Sequence, residues 1–143
     1  MLIIGCGNRQ RGDDAAGVLA AERLRALGIA AETCSGESSE LIEAWAGAGD
    51  VIVIDAVVTG APAGTVHVWE GRELPAFATS RGSTHGLGVA EALRLAHALG
   101  RLPTEVRVYG IEGMRFEMGC SISPEAERGV EDVVARIVRQ VEG

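Results

Sequence analysis

Three polar groups in the 143-residue sequence have the types and placement to do chemistry together. Asp14 closes the pair Asp13-Asp14, Asp55 follows the run Val51-Ile52-Val53-Ile54, and His85 stands between Thr84 and Gly86. Two carboxylates and one imidazole form an oxygen/oxygen/nitrogen donor set that suits a divalent transition metal such as Ni²⁺ or Zn²⁺. Three protein donors leave coordination open for a water or a substrate group. The loop Gly5-Cys6-Gly7-Asn8 allows close backbone approach beside them. Plainer roles compete with this one. Asp14 also suits a helix N-cap, and His85 a solvated loop. Asp55 is the hardest to explain that way, because a charge closing four β-branched residues is costly to bury without a role. His67 and His97 read as structural, one on an edge strand and the other on a mostly apolar helix. Cys6 reads as a small buried residue, and Cys34 and Cys120 carry no assigned role.

Groups so far apart in sequence meet only if the fold brings them to one rim. Leu2-Ile3-Ile4 is a short apolar strand ended by the glycine loop. Asp13 or Asp14 is expected to cap a helix carrying Ala16, Leu19, Ala20, Leu24 and Leu27, stopped by Gly28. Residues 29–34 read as a weak strand, and Ser38 or Ser39 with Glu40 opens a short helix through Trp45. The run 51–54 suits a central parallel strand buried on both faces, and 65–69 an antiparallel edge strand. Ser83 or Thr84 is expected to cap a helix with Leu87, Ala90, Leu93, His97 and Leu99, closed by Gly100. Val106, Val108 and Ile111 mark another strand. Ser123-Pro124-Glu125 opens the last helix, whose Ala126, Val130, Val133, Val134, Ile137, Val138 and Val141 keep a 3.6-residue period. Strands separated by helices require crossovers, so the expected fold is α/β: one domain over 1–143, with an open, twisted, mainly parallel sheet between helices in three layers. Ligands of such sheets bind beyond the carboxyl ends of the strands, where the winding reverses. Asp14, Asp55 and His85 can all lie there.

Composition narrows the functions. With 47 % hydrophobic residues the chain is not disordered, and its 3 % aromatic content offers no stacking platform for bases. A net charge of −7 argues against nucleic acid and anionic membranes as partners. All 13 basic residues are Arg, which removes lysine-dependent mechanisms. Three cysteines outside CxxC spacing, and an opening that reads as a strand rather than a leader, point to a reducing cytoplasm. The longest uncharged stretch, 56–69, has 14 residues including Gly and Pro, too short for a membrane span. Gln10 stands where a dinucleotide fingerprint needs its third glycine.

The ordered set of motifs resembles the hydrogenase maturation endopeptidases. Gly5-x-Gly7-Asn8 with Arg11-Gly12-Asp13-Asp14-Ala15-Ala16-Gly17 is similar to that family's opening segment. Ile54-Asp55-Ala56, Ala63-Gly64-Thr65-Val66, Ser83-Thr84-His85-Gly86-Leu87-Gly88 and Gly119-Cys120-Ser121-Ile122-Ser123-Pro124-Glu125 continue it over nearly the whole chain. The resemblance implies a five-stranded sheet and an aspartyl-type endopeptidase. It further implies that nickel, carried by the immature large subunit of a nickel–iron hydrogenase, is recognised by Asp14, Asp55 and His85. The implied reaction removes a C-terminal extension from that subunit. Where the family carries a Gly-Gly-Thr-like turn after the second strand, this chain has Ser35-Gly36-Glu37, a difference that bears on substrate choice.

Two rival readings use the same residues. A phospho-receiver domain also has an acidic pair, a strand-end aspartate and a hydroxyl residue, here Thr84. It needs a lysine this chain lacks, and Asp13 lies nine residues beyond Ile4 rather than at the strand end. An independent zinc or manganese hydrolase would hold its own metal on the same three side chains.

Overall fold

The computed structural model describes residues 1–73 and 88–143. Five strands, β1 (Leu2–Cys6), β2 (Glu32–Cys34), β3 (Asp50–Val57), β4 (Val66–Glu70) and β5 (Glu105–Glu112), form one sheet in the order β2-β1-β3-β5-β4. All neighbouring pairs are parallel except β4 with β5, which makes β4 the antiparallel edge expected from its composition. Four α-helices, α1 (Ala16–Ala26), α2 (Ser38–Ala44), α3 (Gly88–Ala98) and α4 (Pro124–Glu142), and two 3-10 turns, Gly12–Ala15 and Gly71–Glu73, complete the described elements.

Alternation along the strands builds two cores. Ile52 and Ile54 of β3, with Tyr109 and Ile111 of β5, face α1 and α4; Val51 and Val53, with Val106 and Val108, face α2 and α3. The run 51–54 is therefore buried on both faces, as a central parallel strand requires. The chain winds from β1 out to β2 and then returns past β1 to β3. The winding thus reverses between β1 and β3, whose carboxyl ends carry the loops to Asp14 and the residue Asp55.

Several local expectations are corrected. Neither Asp13 nor Asp14 caps α1: a 3-10 turn over Gly12–Ala15 precedes it, and its N-cap residue, Ala15, makes no side-chain bond. Both carboxylates are committed elsewhere. Helix α2 does open at Ser38 as expected, with Glu37 in the N-cap position, and Glu40 turns back to accept from the N–H and hydroxyl of Ser35. Strand β3 does not stop before Asp55 but continues through it to Val57, because β5 pairs with it that far. The expected caps of α3, Ser83 and Thr84, and its Leu87 lie outside the described residues. His97 and Leu99, at the solvent end of α3, are exposed rather than packed. The start of α4 is as expected, with Ser123 Oγ accepting from the N–H of Ala126 at 3.2 Å and Pro124 first in the helix. Its stripe is buried through Ile137, while Val141 reaches solvent.

Candidate functional site

Two glycines set how closely the elements meet at the switch point. Gly17, in the first turn of α1, lies against the carbonyl oxygens of Ile54 and Cys6, and a Cβ there would collide with both. Gly7 has φ 138°, and a side chain on it would run into the carbonyl oxygen of Asp14. The glycine loop and α1 therefore press onto the ends of β1 and β3, and the turn before α1 delivers Asp14 next to Asp55.

Both carboxyls are nearly excluded from solvent, at 4 % exposure for Asp14 and 8 % for Asp55. Asp14 Oδ2 accepts from the N–H of Asn8 at 3.0 Å. Asp55 Oδ1 accepts from the N–H of Ala56 at 2.8 Å. Burial, and after it the charge of Asp14, hold the Asp55 carboxyl well above the ordinary carboxylate range; the N–H of Ala56 pulls the other way. Two carboxyls that resist joint ionisation form a setting whose repulsion a proton would relieve, or a cation if one were supplied.

Asp13 has a different occupation. Its carboxylate, with no solvent exposure, accepts from the N–H groups of Met114 (2.8 Å), Arg115 (3.2 Å) and Ser123 (2.7 Å) and from the Ser123 hydroxyl (2.9 Å). It fastens the turn before α1 to the loop between β5 and α4. The adjacent acids thus divide into one that holds the fold and one that faces Asp55.

The sheet register lays further groups beside Asp55. Cys34 is the β2 partner of Cys6, and Gly5 pairs with Ile54, which sets Cys6 beside Asp55. Asp55 pairs in turn with Gly110, and Gly110 with His67. One row across the sheet therefore reads Cys34, Cys6, Asp55, Gly110, His67. The two sulphurs are 3.4 Å apart, and both cysteines are free thiols. The hydrogen bond to Cys34, then burial and the charge of Asp55, push the Cys6 thiol up. The hydrogen bond from Cys6, aided by the N–H of Gly36, pulls the Cys34 thiol down against its burial. Cys6 is buried as expected; its pairing with Cys34 has no signal in either residue's local sequence.

At the far end of the row, His67 has the structural role expected of it. Its Nε2 lies 3.0 Å from Glu112 Oε1, and its ring stacks on Trp69 at 4.9 Å and 6°. Glu112, 1 % exposed, also accepts from the Thr59 hydroxyl at 2.6 Å and from the Thr59 N–H at 2.7 Å. Sequence reasoning missed Glu112, although it closes the apolar face of β5 much as Asp55 follows the β3 run. His85 lies outside the described residues. Among the described residues no three His, Cys, Asp or Glu side chains are grouped to hold a metal ion.

Comparison with known proteins places this geometry in a family. The profile described as "Hydrogenase maturation protease" matches residues 36–140, well over half of the chain. The chain is 28 % identical over 145 residues to the hydrogenase 2 maturation protease of Escherichia coli K12, an alignment covering 96 % of this chain and 88 % of that protein. Among solved structures, the hydrogenase maturating endopeptidase HybD from E. coli superposes with a TM-score of 0.81 at 26 % identity, covering 99 % of this chain and 91 % of that one. The [NiFe] hydrogenase maturation protease HybD from Thermococcus kodakarensis gives 0.76 at 26 % identity, with 97 % of each chain covered.

Proposed function

Because this chain belongs to the hydrogenase maturation protease family, we propose that it removes the C-terminal extension from the immature large subunit of a nickel–iron hydrogenase after nickel has been loaded. The protein is an endopeptidase, a hydrolase, by its family. Its immediate partner in this reading is the nickel-bearing precursor subunit, with nickel arriving as part of the substrate. One observation carries the reading: Asp14 and Asp55 sit at the switch point of the sheet, buried and close enough for the charge of one to oppose ionisation of the other.

In this mechanism Asp14, Asp55 and His85 receive the substrate's nickel, and holding it fixes the scissile peptide nearby, converting an encounter into a positioned reaction. Nickel supplies orientation and polarisation when it is present in the substrate. Without it the two carboxyls repel, so an unloaded precursor is not held and is not cut. The first described residue after His85 is Gly88, three positions on, which abuts the carbonyl of Gly36 beside Cys6. The turn Ser35-Gly36-Glu37 occupies the same rim, with Glu37 exposed, and is the place where this chain would differ from its relatives in choosing a substrate. The cytoplasm is the compartment that fits its three unpaired thiols, and no helix among the described residues is long and apolar enough to cross a membrane.

The test compares His85→Ala with the unaltered protein on a nickel-loaded and a nickel-free precursor. The reading expects cleavage of the loaded precursor alone, and loss of that cleavage in the variant. Undiminished cleavage by His85→Ala would refute the role given to His85.

A further inference from the structure

We propose that Cys6 and Cys34 form an oxidant-sensitive dithiol, a modification site that a peroxide closes to a disulfide alongside Asp55. The geometry carries this independently of what the protein cleaves. The two cysteines are register partners on adjacent parallel strands. Neighbouring strands lie roughly 4.8 Å apart, inside the roughly 4.4–6.8 Å that a disulfide spans between Cα atoms. Their sulphurs already face each other at 3.4 Å, so side-chain rotation closes the bond without rebuilding the sheet. Access is one-sided: Cys6 has no solvent exposure, whereas Cys34 lines a cavity of about 330 Å³ with Gly7, Asn8, Arg9, Thr33 and Ser35. Oxidant therefore meets Cys34 first, and Cys6 waits behind it as the resolving thiol.

The chemistry balances in two steps. Cys34 gives up its thiol proton and the thiolate attacks one oxygen of hydrogen peroxide; an S–O bond forms, the O–O bond breaks, and the departing hydroxide takes up that proton as the first water. Cys34 is now a sulfenic acid, its sulphur oxidised by two electrons as the peroxide is reduced. Cys6 sulphur then attacks Cys34 sulphur; the S–S bond forms, the S–O bond breaks, and the departing hydroxide takes up the Cys6 proton as water. The net reaction converts two thiols and one peroxide into a disulfide and two waters. Cys120, on the loop between β5 and α4, takes no part. Gly36 packs over Cys6, and Gly88 packs on Gly36, so closing the bond also alters the packing around Cys6, the strand neighbour of Asp55.

The experiment exposes the reduced full-length protein to hydrogen peroxide and follows intact mass, thiol count after denaturation, and peptide maps. The expected result is a loss of about 2 Da, a fall from three thiols to one, a Cys6–Cys34 peptide pair, and reversal by dithiothreitol. Cys120→Ser is expected to lose the same mass, and Cys34→Ser not to lose it. Should Cys34→Ser fail to fold, the unaltered protein and Cys120→Ser decide the matter through the peptide map alone. Oxygen addition without mass loss, a bridge through Cys120, disulfide-linked dimers, or three surviving thiols would each overturn the proposal.

Discussion

Gly17 and Ile54 touch through their backbones: the Cα of the helix residue faces the carbonyl oxygen of the strand residue with no room for a methyl group between them. This contact holds the start of α1 on the end of β3, and so holds Asp14 near Asp55. Because the obstructing atoms are main chain, Gly17→Ala cannot be relieved by a rotamer change. Urea unfolding is expected to show a loss of about 3 kcal/mol, the upper end of what overpacking costs. On the proposed function, the same variant should also slow cleavage of a nickel-loaded precursor even where it remains folded, since it moves the turn that carries Asp14 away from Asp55.

Asp13 and Asp14 are adjacent in sequence and opposite in consequence. Asp13→Ala leaves the N–H groups of Met114, Arg115 and Ser123 without their acceptor, and is expected to cost roughly 3–5 kcal/mol in chemical denaturation. Asp14→Asn keeps its size and an acceptor for the Asn8 N–H, so its stability should stay within about 1 kcal/mol of the unaltered protein. An equal loss in both variants would remove the distinction between an acid that holds the fold and one that faces Asp55.

The raised Asp55 carboxyl makes stability depend on pH in a stated direction. In the metal-free protein the folded state holds this proton to higher pH than the unfolded chain, whose carboxyl titrates near roughly 3.9. Between those two values the folded state binds more protons, so stability falls as pH rises from about 4 through the folded value. Asp55→Asn removes that loss. Thermal unfolding should place the variant above the unaltered protein at pH 7.5, with the gap closing toward pH 4; a gap that widens on acidification would reverse the assignment.

Glu112 is expected to matter more than the histidine it holds. Glu112→Ala orphans the Thr59 N–H and hydroxyl together and should cost about 2–4 kcal/mol. His67→Ala removes one partly exposed partner and a ring stack, for about 1 kcal/mol. Denaturation midpoints of the two variants, with unchanged slope, check the order.

What could be read in the sequence was what repeats locally. The double-faced burial of 51–54, the edge position of β4 and the capped stripe of α4 follow from side-chain period and turn chemistry. The mainly parallel sheet then follows from crossovers alone. Asp55 was legible because an acid after four β-branched residues contradicts its surroundings. The division of labour between Asp13 and Asp14 was not, because it depends on Ser123, 110 residues away. Nor was the meeting of Cys6 with Cys34, which is fixed by the β1–β2 register and not by either residue's neighbours. Glu112 escaped for a related reason, since its partners arrive from the loop after β3 and from β4. In each case a long-range pairing assigned a role that local pattern left open.

The central claim is that Asp14 and Asp55 act as one cation-receiving pair on which peptide cleavage depends. Its most direct test is the rate at which folded Asp14→Asn and Asp55→Asn proteins remove the extension from a nickel-loaded large-subunit precursor. If the pair fixes the scissile bond, each variant should fall by about 100-fold or more, with neither losing its fold. Rates within about threefold of the unaltered enzyme, well under 1 kcal/mol of barrier, would contradict the account.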